Sequence, residues 1–239
     1  MKMPELQLPE GVKVHSAQSP EAIAQMLAER VAECLRRRLA EGPTATLVVS
    51  GGSTPLPFFR VLRDKPLEWE RVKVALADER WVPESEPASN TALVKNELLQ
   101  GAAAKARYVL FNVSNKDAVD AVSELEADAA ELTLPVDVLV LGMGSDGHTA
   151  SLFPDAPELA RAMKPSEGQR VMVMTPPSQV HQRVTLTLPV LVQARFKALH
   201  LKGQDKITTL ARAVEAPDDW SAMPIRAFLQ AGLHVYWSP

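Results

Sequence analysis

Residues 136–154 leave this chain fewer possible folds than any other stretch. They read Val136-Asp-Val-Leu-Val-Leu-Gly-Met-Gly-Ser-Asp-Gly-His-Thr-Ala-Ser-Leu-Phe-Pro154. The first half is an apolar run rich in β-branched residues, the pattern of a strand buried on both faces of a parallel sheet. Gly142, Gly144 and Gly147 then interrupt it, and glycine lets a backbone turn sharply or approach a ligand closely. Inside that turn stand Asp146 and His148, an acid and a base at the end of a strand, where open α/β sheets bind ligands. The glycines also satisfy G-x-G-x-x-G, but the dinucleotide fingerprint needs a long helix directly after them. Pro154 and Pro157 interrupt any such helix. Glu167, at a suggestive distance for a ribose contact, lies in a Pro- and Gly-flanked loop instead of at a strand end.

Strand-like and helix-like segments alternate along the rest of the chain. A short strand at residues 12–14 precedes Ser19-Pro20-Glu21, which reads as an N-cap, a proline in the first turn and an acid placed to suit the helix dipole. Ile23, Leu27, Val31, Leu35 and Leu39 then form one buried stripe, ended by Gly42-Pro43. Further strands are expected at residues 46–50, 72–77, 108–111, 136–141, 171–174, 183–188, 196–201 and 233–237. Helices are expected at 58–62, from Ser89-Asn90 to Leu99, at 118–130, after Pro189, through Leu210 to Val214, and from Met223-Pro224. This alternation predicts a doubly wound, mostly parallel α/β sheet with helices on both faces. With 239 residues and no evident linker, residues 1–239 are expected to form a single domain.

Composition excludes several function classes. A formal net charge of −3 provides no basic field for nucleic acid. One cysteine, Cys34, rules out an internal disulfide and a cysteine-rich metal centre, and no H-x-x-x-H or comparable cluster supports a metal. No stretch reaches transmembrane length and the first residues lack a signal-peptide core, so a cytoplasmic protein without membrane partners is expected.

Four loops fall at the carboxyl ends of predicted strands and so face one crevice. Gly51, Gly52, Ser53 and Thr54 offer backbone amides and hydroxyls to an anion, with Pro55 suited to a first helical turn. The P-loop lysine is missing, which argues against nucleotide triphosphate hydrolysis. Asp78-Glu79-Arg80 is expected as a loop whose charges are paired or used, since three consecutive charges are costly to bury. Arg80 is the member suited to phosphate or carboxylate. Asp146 and His148 supply an acid–base pair, and Lys206, poorly placed for its own helix dipole, hints at a bound anion. Together these fit a small phosphorylated substrate undergoing general acid–base chemistry.

The same residues carry a family resemblance. Ser50-Gly-Gly-Ser-Thr-Pro55, Asp78-Glu-Arg-Trp-Val-Pro83 with Ser89-Asn90, Leu141-Gly-Met-Gly-Ser-Asp-Gly-His-Thr-Ala-Ser-Leu-Phe-Pro154 and Arg183-Val-Thr-Leu-Thr-Leu188 resemble, in order, the motif set of 6-phosphogluconolactonases. The resemblance implies a Rossmann-like fold shared with glucosamine-6-phosphate deaminases, and hydrolysis of 6-phosphogluconolactone in the pentose phosphate pathway. The reaction it implies requires no cofactor or metal and makes a sugar phosphate lactone the expected small-molecule partner; a monomer or small homo-oligomer is expected. Many members carry proline where this chain has Ser145, and an acidic residue is often found near the end, where this chain reads Trp237-Ser238-Pro239.

Residue by residue, His148 is expected as general base and Asp146 as its orienting group or as a cap of the turn. An ordinary imidazole, with a pKa of about 6.5, suits such work at neutral pH. The glycine loop, including Gly144, or Arg80 would stabilise an oxyanion. Gly51, Gly52, Ser53, Thr54, Arg183 and Lys206 are expected at the phosphate, with Asp78 among the substrate-binding residues. Arg80 is left between the phosphate and the lactone end. His15, His181, His200 and His234 are expected to be structural or surface residues. A deaminase-isomerase on the same scaffold would resemble Asp-Gly-His-Ile-Ala-Phe-Asn-Glu-Pro, and Thr149-Ala-Ser-Leu-Phe-Pro154 lacks that acid. A silent sugar-phosphate-binding regulator would predict a basic helix-turn-helix, which is missing.

Overall fold

The computed structural model describes residues 6–109, 111 and 116–239. Ten strands are seen among them: β1 (Lys13–Ser16), β2 (Ala45–Val49), β3 (Val72–Leu76), β4 (Asp78–Arg80), β5 (Arg107–Val109), β6 (Val138–Leu141), β7 (Val171–Met174), β8 (Arg183–Leu186), β9 (Phe196–Lys202) and β10 (Leu233–Ser238). The helices are α1 (Pro20–Glu41), α2 (Leu56–Leu62), α3 (Asn90–Glu97), α4 (Val122–Ala130), α5 (Leu159–Met163), α6 (Leu188–Val192) and α7 (Gln204–Val214).

Seven strands form one sheet in the order β1-β10-β9-β6-β2-β3-β5, and every neighbouring pair is parallel. Parallel pairing explains the composition of its centre. All five residues of β2 and all four of β6 are buried, as strands covered on both faces must be. From β2 the chain steps outward through β3 to β5. It returns to β6 on the other side of β2 and continues outward through β9 to β10. The direction of winding therefore reverses between β2 and β6, and the loops leaving those two strands diverge there. Such a switch point opens a crevice at the carboxyl edge of a doubly wound sheet.

The sequence signals that start helices act as read. Ser19 Oγ accepts from the Ala22 amide at 3.2 Å, and the α1 stripe from Ile23 to Leu39 is buried against the sheet and α2. Among the described residues the buried hydrophobic side chains form one contiguous cluster, in which Trp69, Trp237, Phe58, Phe59 and Phe228 are the largest of the fully buried ones.

Several expectations are corrected. Asp78-Glu79-Arg80 is not a loop but β4, in a second sheet of order β4-β8-β7 whose pairings are antiparallel. The strand beginning at Arg183 belongs to that sheet and ends at Leu186, so the strands do not all join one parallel layer. The physical reason lies in Glu79. Its fully buried carboxylate accepts from the amides of Arg80, Asn90 and Thr91 at 2.7, 2.8 and 2.6 Å and from Ser89 Oγ at 3.3 Å. The open N-terminus of α3 offsets part of the cost of burial, which still pushes the Glu79 carboxyl above its ordinary value. The helix expected from residue 118 begins at Val122, and the one expected from Met223 is a single 3₁₀ stretch, Pro224–Phe228. Of the strand expected at 108–111, residues 108 and 109 are in β5, while residue 110 lies outside the described residues.

Candidate active site

A cavity of about 300 Å³ opens at the switch point. Residues 50–55 after β2, Asp78 and Arg80 on β4, residues 140–144 and 148–150 at the end of β6 and in the loop after it, and His200, Leu201, Lys202 and Lys206 at the end of β9 and start of α7 line it. Of the predicted residues, Gly51, Gly52, Ser53, Thr54, Asp78, Arg80, Gly144, His148 and Lys206 meet there.

The β6 loop holds the imidazole by short-range contacts. Asp146 Oδ1 accepts from the His148 amide at 3.0 Å and lies 2.6 Å from Nδ1. Accepting from Nδ1–H, the carboxylate fixes the tautomer of a neutral ring and leaves the lone pair on Nε2. Burial pushes the Asp146 carboxyl up, but the hydrogen bonds and charge of His148 outweigh it and hold the group below its ordinary value. The ring stacks on Phe153 with centroids 4.1 Å apart. Gly144 has a steric role: a Cβ there would stand 2.1 Å from His148 Cε1 and 2.2 Å from Nδ1. Around this core, Thr149 Oγ1 donates to the Gly142 carbonyl at 2.8 Å, Arg212 Nη2 to the Ser145 carbonyl at 2.8 Å, and the Ile225 amide to the Gly147 carbonyl at 2.9 Å. The dyad therefore sits on a loop braced from α7 and the 3₁₀ stretch.

Opposite it, the β2 loop turns through Gly52 at φ +94°. Among the described residues, none of the amides of residues 51–54 donates to another protein group, and all four residues line the cavity. Gly51 is set by a neighbour from afar. A Cβ there would lie 2.0 Å from Asn90 Oδ1, and Asn90 Nδ2 donates to the Asp78 carbonyl at 3.3 Å. Asp78 in turn accepts from Ser151 Oγ at 2.6 Å, tying the β4 edge to the loop that carries His148.

Two expected residues stand outside the cavity lining. Asp146 is hydrogen-bonded to His148, which does line the cavity. Arg183 is buried on β8 directly opposite Arg80 in the β4–β8 register, with Nη2 donating to Gln179 Oε1 at 2.8 Å and its guanidinium 5.8 Å from the Phe153 ring. Its Nε and Nη1 are enclosed without a hydrogen-bond partner among the described residues. Burial, followed by the neighbouring Arg80 charge, pushes the Arg183 guanidinium below its ordinary value. Arg80 itself donates from Nη1 to the Ala88 carbonyl at 2.7 Å.

Sequence reasoning missed others. Ser50, Asn90, Lys202 and His200 line the cavity, and Phe153 supports the imidazole. His200, expected to be a structural or surface residue, is buried and also lines the cavity. Its place two residues before Lys202-Gly203 at a strand end was the available signal. His15 and His234 pair with each other at 3.0 Å, away from the cavity, and His181 is exposed.

A family profile described as glucosamine-6-phosphate isomerases/6-phosphogluconolactonase matches residues 18–237. The 6-phosphogluconolactonase of Pseudomonas aeruginosa is 47% identical over 239 residues, covering 100% of both chains. That of Pseudomonas putida is 47% identical over 242 residues, covering 100% of this chain and 98% of its own. Among solved structures, a 6-phosphogluconolactonase from Shewanella baltica superposes with a TM-score of 0.89 at 35% identity, covering 97% of this chain and 100% of that one.

Proposed function

This chain belongs to the glucosamine-6-phosphate isomerase/6-phosphogluconolactonase family, and from that premise we propose that it hydrolyses 6-phospho-D-glucono-1,5-lactone to 6-phospho-D-gluconate in the oxidative pentose phosphate pathway. The observation that carries the reading is the 2.6 Å contact between Asp146 and His148 on the wall of a cavity that also presents free amides and cationic side chains. The lactonase branch is favoured over the deaminase branch by the named relatives and by the run after His148. Its first carboxylate, Asp155, already accepts from the Ser178 amide at 2.7 Å.

In this reading His148 Nε2 takes a proton from water as the water oxygen bonds to the lactone carbonyl carbon. Asp146 keeps Nδ1 protonated and steadies the imidazolium that forms. The carbonyl oxygen becomes an oxyanion, stabilised by donors of the glycine loop or by Arg80. Collapse breaks the ring C–O bond, and the imidazolium returns its proton to the departing ring oxygen, leaving the hydroxy acid. The amides of residues 51–54, with the Ser53 and Thr54 hydroxyls, Lys206 and Arg183, are assigned to the 6-phosphate. Since Arg183 lies outside the lining, it would act from behind Arg80. The reaction requires no cofactor, and the reading treats residues 1–239 as one cytoplasmic unit, a monomer or small homo-oligomer; among the described residues no helix is long and apolar enough to cross a membrane.

The test is the rate of lactone hydrolysis, with lactone generated in place, above the spontaneous background. The wild type should accelerate it strongly, and a folded His148→Ala variant should lose about 10²–10⁴-fold, the usual worth of such a base. Acceleration that survives the substitution would remove His148 from the role of base, and no acceleration by the wild type would overturn the function.

A further inference from the structure

His200 lies near the carboxyl end of β9, on the cavity side, and is 4% exposed. Phe58 meets its ring nearly edge-on, with centroids 6.2 Å apart and planes at 80°. Its Nδ1 is enclosed with no hydrogen-bond partner, and among the described residues neither ring nitrogen is used by the protein. A buried polar group left unpaired costs about 1–3 kcal/mol, and shape alone would be served by an apolar side chain at this position. Burial also lowers the imidazole pKa to about 4, so the ring is uncharged at neutral pH. An enclosed nitrogen without an acceptor is better left unprotonated, since orphaned N–H groups are rarer in protein interiors than under-used acceptors. The proton then sits on Nε2, and the ring is a neutral donor.

We propose that His200 is a specificity-determining residue whose Nε2–H binds an uncharged oxygen of the substrate's sugar, a hydroxyl, at the cavity floor. This rests on the sugar-phosphate reading of the same site. The free amides, Arg80, Lys202 and Lys206 already match an anion, and a neutral imidazole adds no charge to them. What it adds is a directional contact that a bare phosphate does not need. The register agrees: His200 lies one position beyond the Leu141–Leu199 pair of β6 and β9, level with Gly142, where the loop bearing His148 begins. A sugar ring lying over the end of β6 would turn one edge toward β9.

The test compares His200→Leu, which removes the donor, with His200→Gln, which keeps a neutral one. Calorimetry measures binding of 6-phosphogluconate and of inorganic phosphate, and steady-state kinetics measures lactone hydrolysis. Loss of one hydrogen bond is expected to weaken 6-phosphogluconate binding and raise KM about tenfold in His200→Leu, with a much smaller change in kcat. Phosphate binding should stay unchanged, and His200→Gln should recover most of the loss. Unchanged affinity for 6-phosphogluconate in His200→Leu overturns the proposal. So does an equal loss for phosphate, or a loss that His200→Gln shares in full, because each indicates a packing or phosphate role. The binding arm does not depend on turnover, so a failure of lactone hydrolysis in the wild type would count against the function while leaving the role of His200 to be decided by the two ligands.

Discussion

Asp146 and His148 are two residues apart, and the contact between them needs only the turn that Gly147, at φ +82°, permits. Removing the acceptor by Asp146→Ala should lower kcat about 10²-fold with little change in KM, because the ring loses its fixed tautomer while the binding loops stay in place. Steady-state kinetics on lactone generated in place would measure this. Gly144→Ala is expected to be similarly damaging by another route, since its methyl group would occupy the space of the imidazole. Its activity should fall about 10²-fold, with the denaturant midpoint changed far less than the rate. The two residues stood out in the sequence because they share one glycine turn, but their pairing is given by the structure. His200 did not stand out: a histidine between two leucines in a strand looks the same whether its ring is packed or aimed into a cavity.

At the level of elements, the Glu79 carboxylate joins β4 to the start of α3. It meets three backbone amides and a hydroxyl, all of which donate, whereas a glutamine side chain has one oxygen to accept and an NH₂ group that would face a donor. Glu79→Gln should therefore cost about 1–3 kcal/mol of stability, read as a lower urea midpoint with an unchanged m-value. Because β4 also presents Asp78 and Arg80 to the cavity, KM should rise in the same variant. The sequence announced the charges of β4 but not their sheet. Three residues are too short for a periodicity to speak, and β4 is defined only by its antiparallel pairing with β8 roughly a hundred residues later. β2 and β6, by contrast, declare themselves as continuous apolar runs because both of their faces are covered.

For the whole molecule, two histidines make stability depend on pH. Burial lowers the pKa of both His200 and His234 to about 4, helped at His234 by the neighbouring His15. An unfolded chain takes up protons on these rings near pH 6.5, whereas the folded protein takes them up only near 4. Protons therefore favour the unfolded state throughout that window, and stability should fall as pH drops from about 6.5 toward 4. For the buried His200 the slope is at most about 1.4 kcal/mol per pH unit. Urea unfolding at pH 7 and pH 5 would show a lower midpoint at pH 5, and His200→Leu should make that dependence shallower. By itself the sequence determined the alternation of strands and helices, the buried parallel core and the glycine turns at strand ends, one of which carries Asp146 and His148. Each follows from periodicity or from residues a few positions apart. The tertiary structure alone decided that β4, β7 and β8 form a separate sheet, that Asn90 packs against Gly51, that Arg183 pairs with Arg80 across β4 and β8, and that His200 lines the cavity. Those outcomes depend on which distant segments share space, and no local pattern of residue types carries that information.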